Sequence, residues 1–521
     1  MANKEELIAI VNESYKVSGT SIILGAPKFQ NEVLSGTQIK APLKTFNRHG
    51  LIAGATGTGK TKTLQNLAEQ LSVNGVPSLL MDIKGDLSGI SQAGTENPKI
   101  AERHAAIGVE WKPEAMPVEF LSISNEKGVR MRATISEFGP VLLSKILELN
   151  DVQSGVVSMI FKYCDDRRLP LLDIKDFRKV CQHLQTDEGK KQIENDYGLA
   201  SSASIGAIMR NILEIEQQGA DLFFGEPSFE IEDLMRKDSR GYGYCNVLRL
   251  SDLQAKPGLF STFMLCLLAE IYEKLPERGD QDKPVLCIFI DEAHLIFNEA
   301  SKALLNQITT IVKLIRSKGV GLYFITQDPT DVPEDVLGQL GMKIQHALRA
   351  FTEKDRKAIK TIAENFPPSD FYTTSELLTS LGIGEALVTV LNEKGIPTPL
   401  VHAYLTAPKT RMDVVSEQEL NAIVNSSELV EKYNVEIDRQ SAYEILSGKI
   451  QAHAEPEKEE QVPEQEEQEQ QSPKGRGEKS TFDKVMNSSV TRTIVREVTR
   501  GLLGVLGIKS STTRRKKSSW F

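Results

Sequence analysis

The sequence predicts an α/β protein on a mostly parallel sheet, with an inserted all-helical subdomain and a disordered linker leading to a C-terminal amphipathic helix. Three observations carry this prediction. Short β-rich runs alternate with helical patterns over most of the chain, as βαβ units require. The alternation stops between residues 140 and 238, where helical patterns follow one another. Past residue 450 large apolar residues become scarce and charge dominates. The chain has 521 residues, 40% hydrophobic and 26% charged, which excludes wholesale disorder.

Taken in order, residues 1–41 form an N-terminal extension whose start lacks the basic stretch and apolar core of a signal peptide. Residues 42–139 hold the first part of the core, with strands at 51–53 and 76–81 and a helix at 60–73. Residues 140–238 are the helical insertion, with helices at 141–149, 152–163, 174–184 and 203–217. The core resumes over 239–450, with strands at 285–290, 320–326 and 343–348 and helices at 300–317 and 353–364. Residues 451–480 carry nine acidic and four basic side chains, and the Glu, Gln and Pro content predicts a disordered linker. Residues 481–521 carry nine basic and two acidic side chains. There Val485, Val490, Ile494, Val498, Leu502 and Leu506 recur at helical spacing, with Arg492, Arg496 and Arg500 on another face. Such a tethered basic helix suits docking on the core beside nucleic acid, or on an anionic lipid surface.

The net charge of −9 excludes a uniformly basic nucleic-acid binder. The best apolar stretch, 260–272, is too short for a bilayer span of ~20 residues. Five cysteines (Cys164, Cys181, Cys245, Cys266 and Cys287) form no C-x-x-C pair, which points to buried thiols in a reducing compartment. A cytoplasmic protein without integral membrane association is expected.

Gly54-Ala55-Thr56-Gly57-Thr58-Gly59-Lys60-Thr61 fits G-x-x-x-x-G-K-[ST] between an apolar strand and a helix. Phosphate oxygens need several converging N–H donors, and glycines let the backbone curl around them. The helix adds its positive N-terminal end. Lys60 reaches the β- and γ-phosphates and Thr61 offers a hydroxyl to Mg²⁺. Thr63 follows in the first turns and joins the nucleotide-binding set. The second half is the apolar run 285–290 ending in Asp291-Glu292-Ala293-His294. Ligands of open α/β sheets bind at the carboxyl ends of strands. Asp291 is placed to hold Mg²⁺ and Glu292 to deprotonate the attacking water. Hydrolysis of ATP or GTP with magnesium follows. Asp291 to His294 also match the DEAH signature of one helicase superfamily, but the Q-x-x-G-R-x-G-R segment of its second motor domain is missing.

Together with Asn47-Arg48-His49-Gly50, Asp82-Ile83-Lys84-Gly85-Asp86-Leu87 and Gln345-His346-Ala347-Leu348-Arg349-Ala350-Phe351, these motifs resemble the HerA/FtsK-like branch of P-loop ATPases. More closely, the chain resembles the bacterial helicase HerA-like (DUF853) family. The resemblance implies a RecA-like core, a homo-oligomeric ring (usually a hexamer), and ATP-driven movement on DNA. It implies that Gln327 senses the γ-phosphate, that Arg316 is a trans-acting arginine finger, that Arg349 is a second finger or sensor, and that Arg48 contacts nucleotide in cis. Lys84 and Asp86 stand between a site role and simple turn chemistry. The forty or so residues before the core are too few for the nuclease-docking barrel of archaeal HerA, so no nuclease partner is expected. An ATP-driven protein remodeler or switch is the alternative to a DNA motor.

Overall fold

The computed structural model describes residues 3–454, apart from 254, 255, 280, 299–301, 436 and 438. Its contacts divide the chain into two units, Met1–Leu446 and Ser447–Phe521, and the elements discussed below belong to the first. The linker and amphipathic helix expected over 451–480 and 481–521 lie outside the described residues, except where the helix Ala442–Ala454 reaches position 454.

Thirteen strands occur among the described residues: β1 (Ser21–Phe29), β2 (Glu32–Val33), β3 (Ile39–Pro42), β4 (Gly50–Ala53), β5 (Ser78–Asp82), β6 (Val118–Ser122), β7 (Val129–Arg130), β8 (Cys245–Arg249), β9 (Leu286–Ile290), β10 (Val320–Thr326), β11 (Met342–Gln345), β12 (Glu385–Thr389) and β13 (Val401–Leu405). They form one sheet in the order β2-β1-β13-β12-β11-β4-β10-β9-β5-β8-β6-β7, with β3 paired to β1. From β11 to β7 every pairing is parallel. The pairings from β11 through β12 and β13 to β1, β2 and β3 are antiparallel. The segment expected as an N-terminal extension therefore supplies β1 to the sheet itself.

The central strands read as continuous apolar runs because both of their faces are covered. Side chains alternate between the faces with period two. Leu286, Ile288, Ile290, Leu322 and Phe324 enter one core cluster, shared with the helical segment that follows β7. Cys287, Phe289, Tyr323 and Ile325 enter the other, packed with Leu64, Leu67 and Leu71 of the helix Lys60–Val73. Between β7 and β8 the chain forms Ile135–Ile146, Asp151–Arg167, Ile174–His183, Asp187–Tyr197, Ser202–Gln217 and Ala220–Phe223, all helical. All five cysteines are buried free thiols.

One expected strand is shorter than its apolar pattern. The run 343–348 leaves the ladder after Gln345, because its next backbone groups are used by the glycine-rich loop. His346 N donates to Ala53 O at 2.7 Å, and Ala347 O accepts from Ala55 N at 2.8 Å.

Candidate functional site

The loop 54–59 leaves the carboxyl end of β4, which is flanked by β10 and β11 and wholly buried. Both neighbours anchor it: Gly54 N donates to Thr326 O (3.3 Å) and Ala55 N to Ala347 O. Gly54, Gly57 and Gly59 have φ of 146°, 79° and 112°, the region where a Cβ is strained. At Gly54 a Cβ would also lie 2.6 Å from His346 Cβ. The loop thus curls tightly into the start of the helix Lys60–Val73, whose first N–H groups have no intrahelical acceptors. Lys60 folds back to donate to Gly54 O (2.6 Å) and Ala55 O (3.2 Å), and burial lowers its pKa. Thr61, in the first turn, is half-buried.

Two strands away, β9 delivers Asp291 and Glu292 to the same edge of the sheet. Asp291 Oδ1 accepts from Glu292 N at 2.9 Å, while the buried Oδ2 has no partner. Burial pushes its carboxyl up to about 6, opposed by the nearby Lys84 ammonium. An orphaned buried carboxylate oxygen is costly unless a cation or water meets it. This oxygen and the Thr61 hydroxyl are hard oxygen donors of the kind Mg²⁺ takes, so the residues fit that ion. Glu292 sits at φ 48°, strained for a residue with a Cβ. Its Oε1 is ion-paired with Lys84 Nζ; its buried Oε2 makes no hydrogen bond and has His294 Nδ1 3.2 Å away.

Lys84 is held in place by the turn after β5. The buried Asp82 carboxylate accepts from Gly85 N (2.7 Å), Asp86 N (3.1 Å) and Leu87 N (3.2 Å), with Gly85 at φ 75°. Burial still raises the Asp82 pKa to about 7, because these bonds only partly offset desolvation. Sequence reading left Lys84 undecided and passed over Asp82. The available signal was a strand ending in Asp, followed three residues later by Gly.

The remaining expected residues divide into three groups. Gln327, one residue past β10, joins the loop: its Oε1 accepts from Thr56 Oγ1 at 3.3 Å. Arg349 also belongs to this edge. It lines a cavity of about 540 Å³ shared with Gly57, Thr58, Arg356, Lys360 and Glu376. The cavity wall at 382–384 is braced, since Gly384 N donates to Thr58 O (3.2 Å) and Arg103 donates to the Ile383, Gly384 and Leu405 carbonyls.

Thr63 and Arg48 make contacts within the protein. Thr63 is buried with its hydroxyl 3.0 Å from His346 Nε2. Arg48 precedes β4, so it stands at the amino end of the strand whose carboxyl end carries the loop. The strand residues Gly50–Ala53 lie between it and the loop. Its guanidinium instead lies where a Cβ on Gly395 would be, 2.9 Å from Nη1. Arg316 stands at the same amino edge, exposed in the turn before β10.

The family model for helicase HerA-like C-terminal proteins matches residues 28–511. The chain belongs to this HerA-like family. Among its relatives, the DNA double-strand break repair helicase HerA of Sulfolobus acidocaldarius is 23% identical over 370 residues, covering 70% of this chain and 66% of that one. The protein of the same description from Saccharolobus solfataricus is 24% identical over 357 residues, covering 67% and 63%. The HerA-like chain therefore spans slightly less than two thirds of the length of these relatives. The bacterial conjugative coupling protein TrwB superposes with a TM-score of 0.50 at 14% identity, covering 78% of this chain and 93% of that one. That likeness is one of fold, an α/β core on a mostly parallel sheet.

Proposed function

We propose that this HerA-like chain hydrolyses ATP with Mg²⁺ and uses the energy, as a homo-oligomeric ring, to move on or remodel DNA. The observation that carries the reading is the meeting of the phosphate loop with the unpartnered Asp291 oxygen and Glu292 at one sheet edge. Loop N–H groups, the helix end and Lys60 bind the β- and γ-phosphates. Thr61 and Asp291 would hold Mg²⁺, which neutralises phosphate charge when bound. Gln327 orients a water, and Glu292 takes its proton as the water oxygen bonds to the γ-phosphorus. The bond to the β–γ bridging oxygen breaks, leaving ADP and phosphate.

The nucleoside end extends away from β9 and β10 into the cavity by Arg349, whose volume suits a base and ribose. Arg316, exposed on the opposite edge, cannot serve its own site and is placed to complete a neighbour's. A hexameric ring is the expected assembly. DNA as substrate is supported by the names of the relatives, both described as DNA repair helicases.

The deciding experiment is ATPase rate against duplex and single-stranded DNA at two salt concentrations. Stimulation that weakens as salt rises is expected for phosphate-backbone contacts. Robust ATPase indifferent to every DNA would replace the DNA motor with a protein remodeler or switch.

A further inference from the structure

We infer that Lys84 is a movable cation shared between Glu292 and the γ-phosphate, so that binding of a triphosphate is what frees the general base. This inference rests on the hydrolysis reading above and names a residue that reads which nucleotide is bound. Three independent observations support it.

First, the Lys84 ammonium is ion-paired with Glu292 Oε1. A carboxylate oxygen covered by a cation is a poor acceptor for a water proton. Second, the pair is uneven in its freedom. Glu292 is 8% exposed and fixed on strained backbone, whereas Lys84 is 34% exposed on a long flexible stem. Of the two partners, only the lysine head can move without repacking the core. Third, the base of the lysine is fixed. Three backbone donors on Asp82 clamp the turn 85–87, which confines any movement to the Lys84 side chain.

The alternative acceptor is close. Lys84 is near enough to Lys60 to lower its pKa by repulsion, and both lysines feel Asp291 and Glu292. Lys60 is itself occupied by the Gly54 and Ala55 carbonyls. Both cations of the site therefore rest on protein oxygens. A γ-phosphate would bring more negative charge than one carboxylate and draw Lys84 across, leaving Oε1 open to water. ADP has no group at that position, so Lys84 returns to Glu292 after phosphate leaves.

The test compares ATP-analogue and ADP affinities, measured with fluorescent nucleotides and Mg²⁺, in the full chain and three variants. Lys84→Met should lose about tenfold in triphosphate affinity with ADP affinity unchanged, as expected for one charge-assisted bond. Lys84→Arg should restore part of that preference. Glu292→Gln, which removes the competing charge, should bind the triphosphate more tightly than the unaltered chain. That gain should vanish in the double variant Lys84→Met/Glu292→Gln. An unchanged triphosphate-to-diphosphate ratio in Lys84→Met overturns the inference. So does a gain that survives in the double variant, since the ion pair would then be structural only. If the unaltered chain binds neither nucleotide, the hydrolysis reading falls and takes this inference with it.

Discussion

The two edges of the central sheet are made from the same strands, yet they are chemically opposite. At the carboxyl edge lie glycines at positive φ, buried carboxylates, an orphaned Asp291 oxygen and lysines folded onto protein oxygens. At the amino edge lie Arg48 and Arg316, with His49 between β4 and β10 holding Val312 O and Leu322 N. His49 is neutral there, its pKa lowered to about 4 chiefly by burial. The first edge stores desolvation at Asp291 and backbone strain at Glu292. At the second, both ring nitrogens of His49 are hydrogen-bonded and Arg316 is exposed. One edge is built as a site, and the other as something to be offered to a site elsewhere.

The largest effects should follow from damage to the carboxyl edge. Lys60→Ala should lower ATP hydrolysis by about a hundredfold or more, as loss of a preorganised charge does, and should weaken nucleotide binding; steady-state ATPase and titration check both. Glu292→Gln should reduce turnover by roughly 10²–10⁴ while binding persists, since an amide cannot accept the proton. Near-normal turnover would remove Glu292 from the role of base.

The amino edge should behave differently. Arg316→Ala should reduce turnover in the assembled ring, and mixing it with Lys60→Ala should restore activity where an intact site meets an intact arginine. No recovery in rings shown to be mixed would erase the distinction between the edges. Arg48→Ala should leave nucleotide affinity of the isolated chain within about twofold, because no direct bond is lost. A large loss would mean that the edge assignment is wrong.

Stability against pH sharpens the same contrast at smaller scale. Asp82 has a folded pKa raised from its ordinary value to about 7. Its contribution is full below pH 4 and is lost as pH rises through 7, the reverse of a salt-bridged carboxylate. Relative to Asp82→Asn, the unaltered chain should therefore lose up to a few kcal/mol between pH 4 and 8. Melting temperatures of both proteins across that range check the sign.

Much of this was legible in the sequence because it depends on neighbours in the chain. The loop 54–61, the strand ending at Asp291 and the glutamine after Thr326 are local patterns with local consequences. Sequence spacing does not show that β4 runs between Arg48 and the loop, with Arg48 before its amino end. Helical spacing likewise does not reveal that the Thr63 hydroxyl bonds to His346, 283 positions away. Lys84 with Glu292 is a similar long-range pairing. The run 343–348 kept its apolar pattern past the point where its hydrogen bonds turn to the loop. In each case a tertiary partner, not propensity, decided the outcome.

The segment 406–412 after β13 crosses the helix Lys60–Val73 and is tied to it at successive turns. Lys62 donates to Met412 O, Gln65 to Arg411 O (2.8 Å) and Asn66 to Thr406 O (2.9 Å), while Glu69 accepts from Lys409 N (2.8 Å) and Thr410 N (3.0 Å). One turn past Asn66, Gln70 exchanges two bonds with Ile23 of β1. The helix that begins at the phosphates is thus stitched along its length to a strap of backbone. Neither the helix that starts at Lys60 nor the backbone of 406–412 can therefore shift along the other without breaking these bonds.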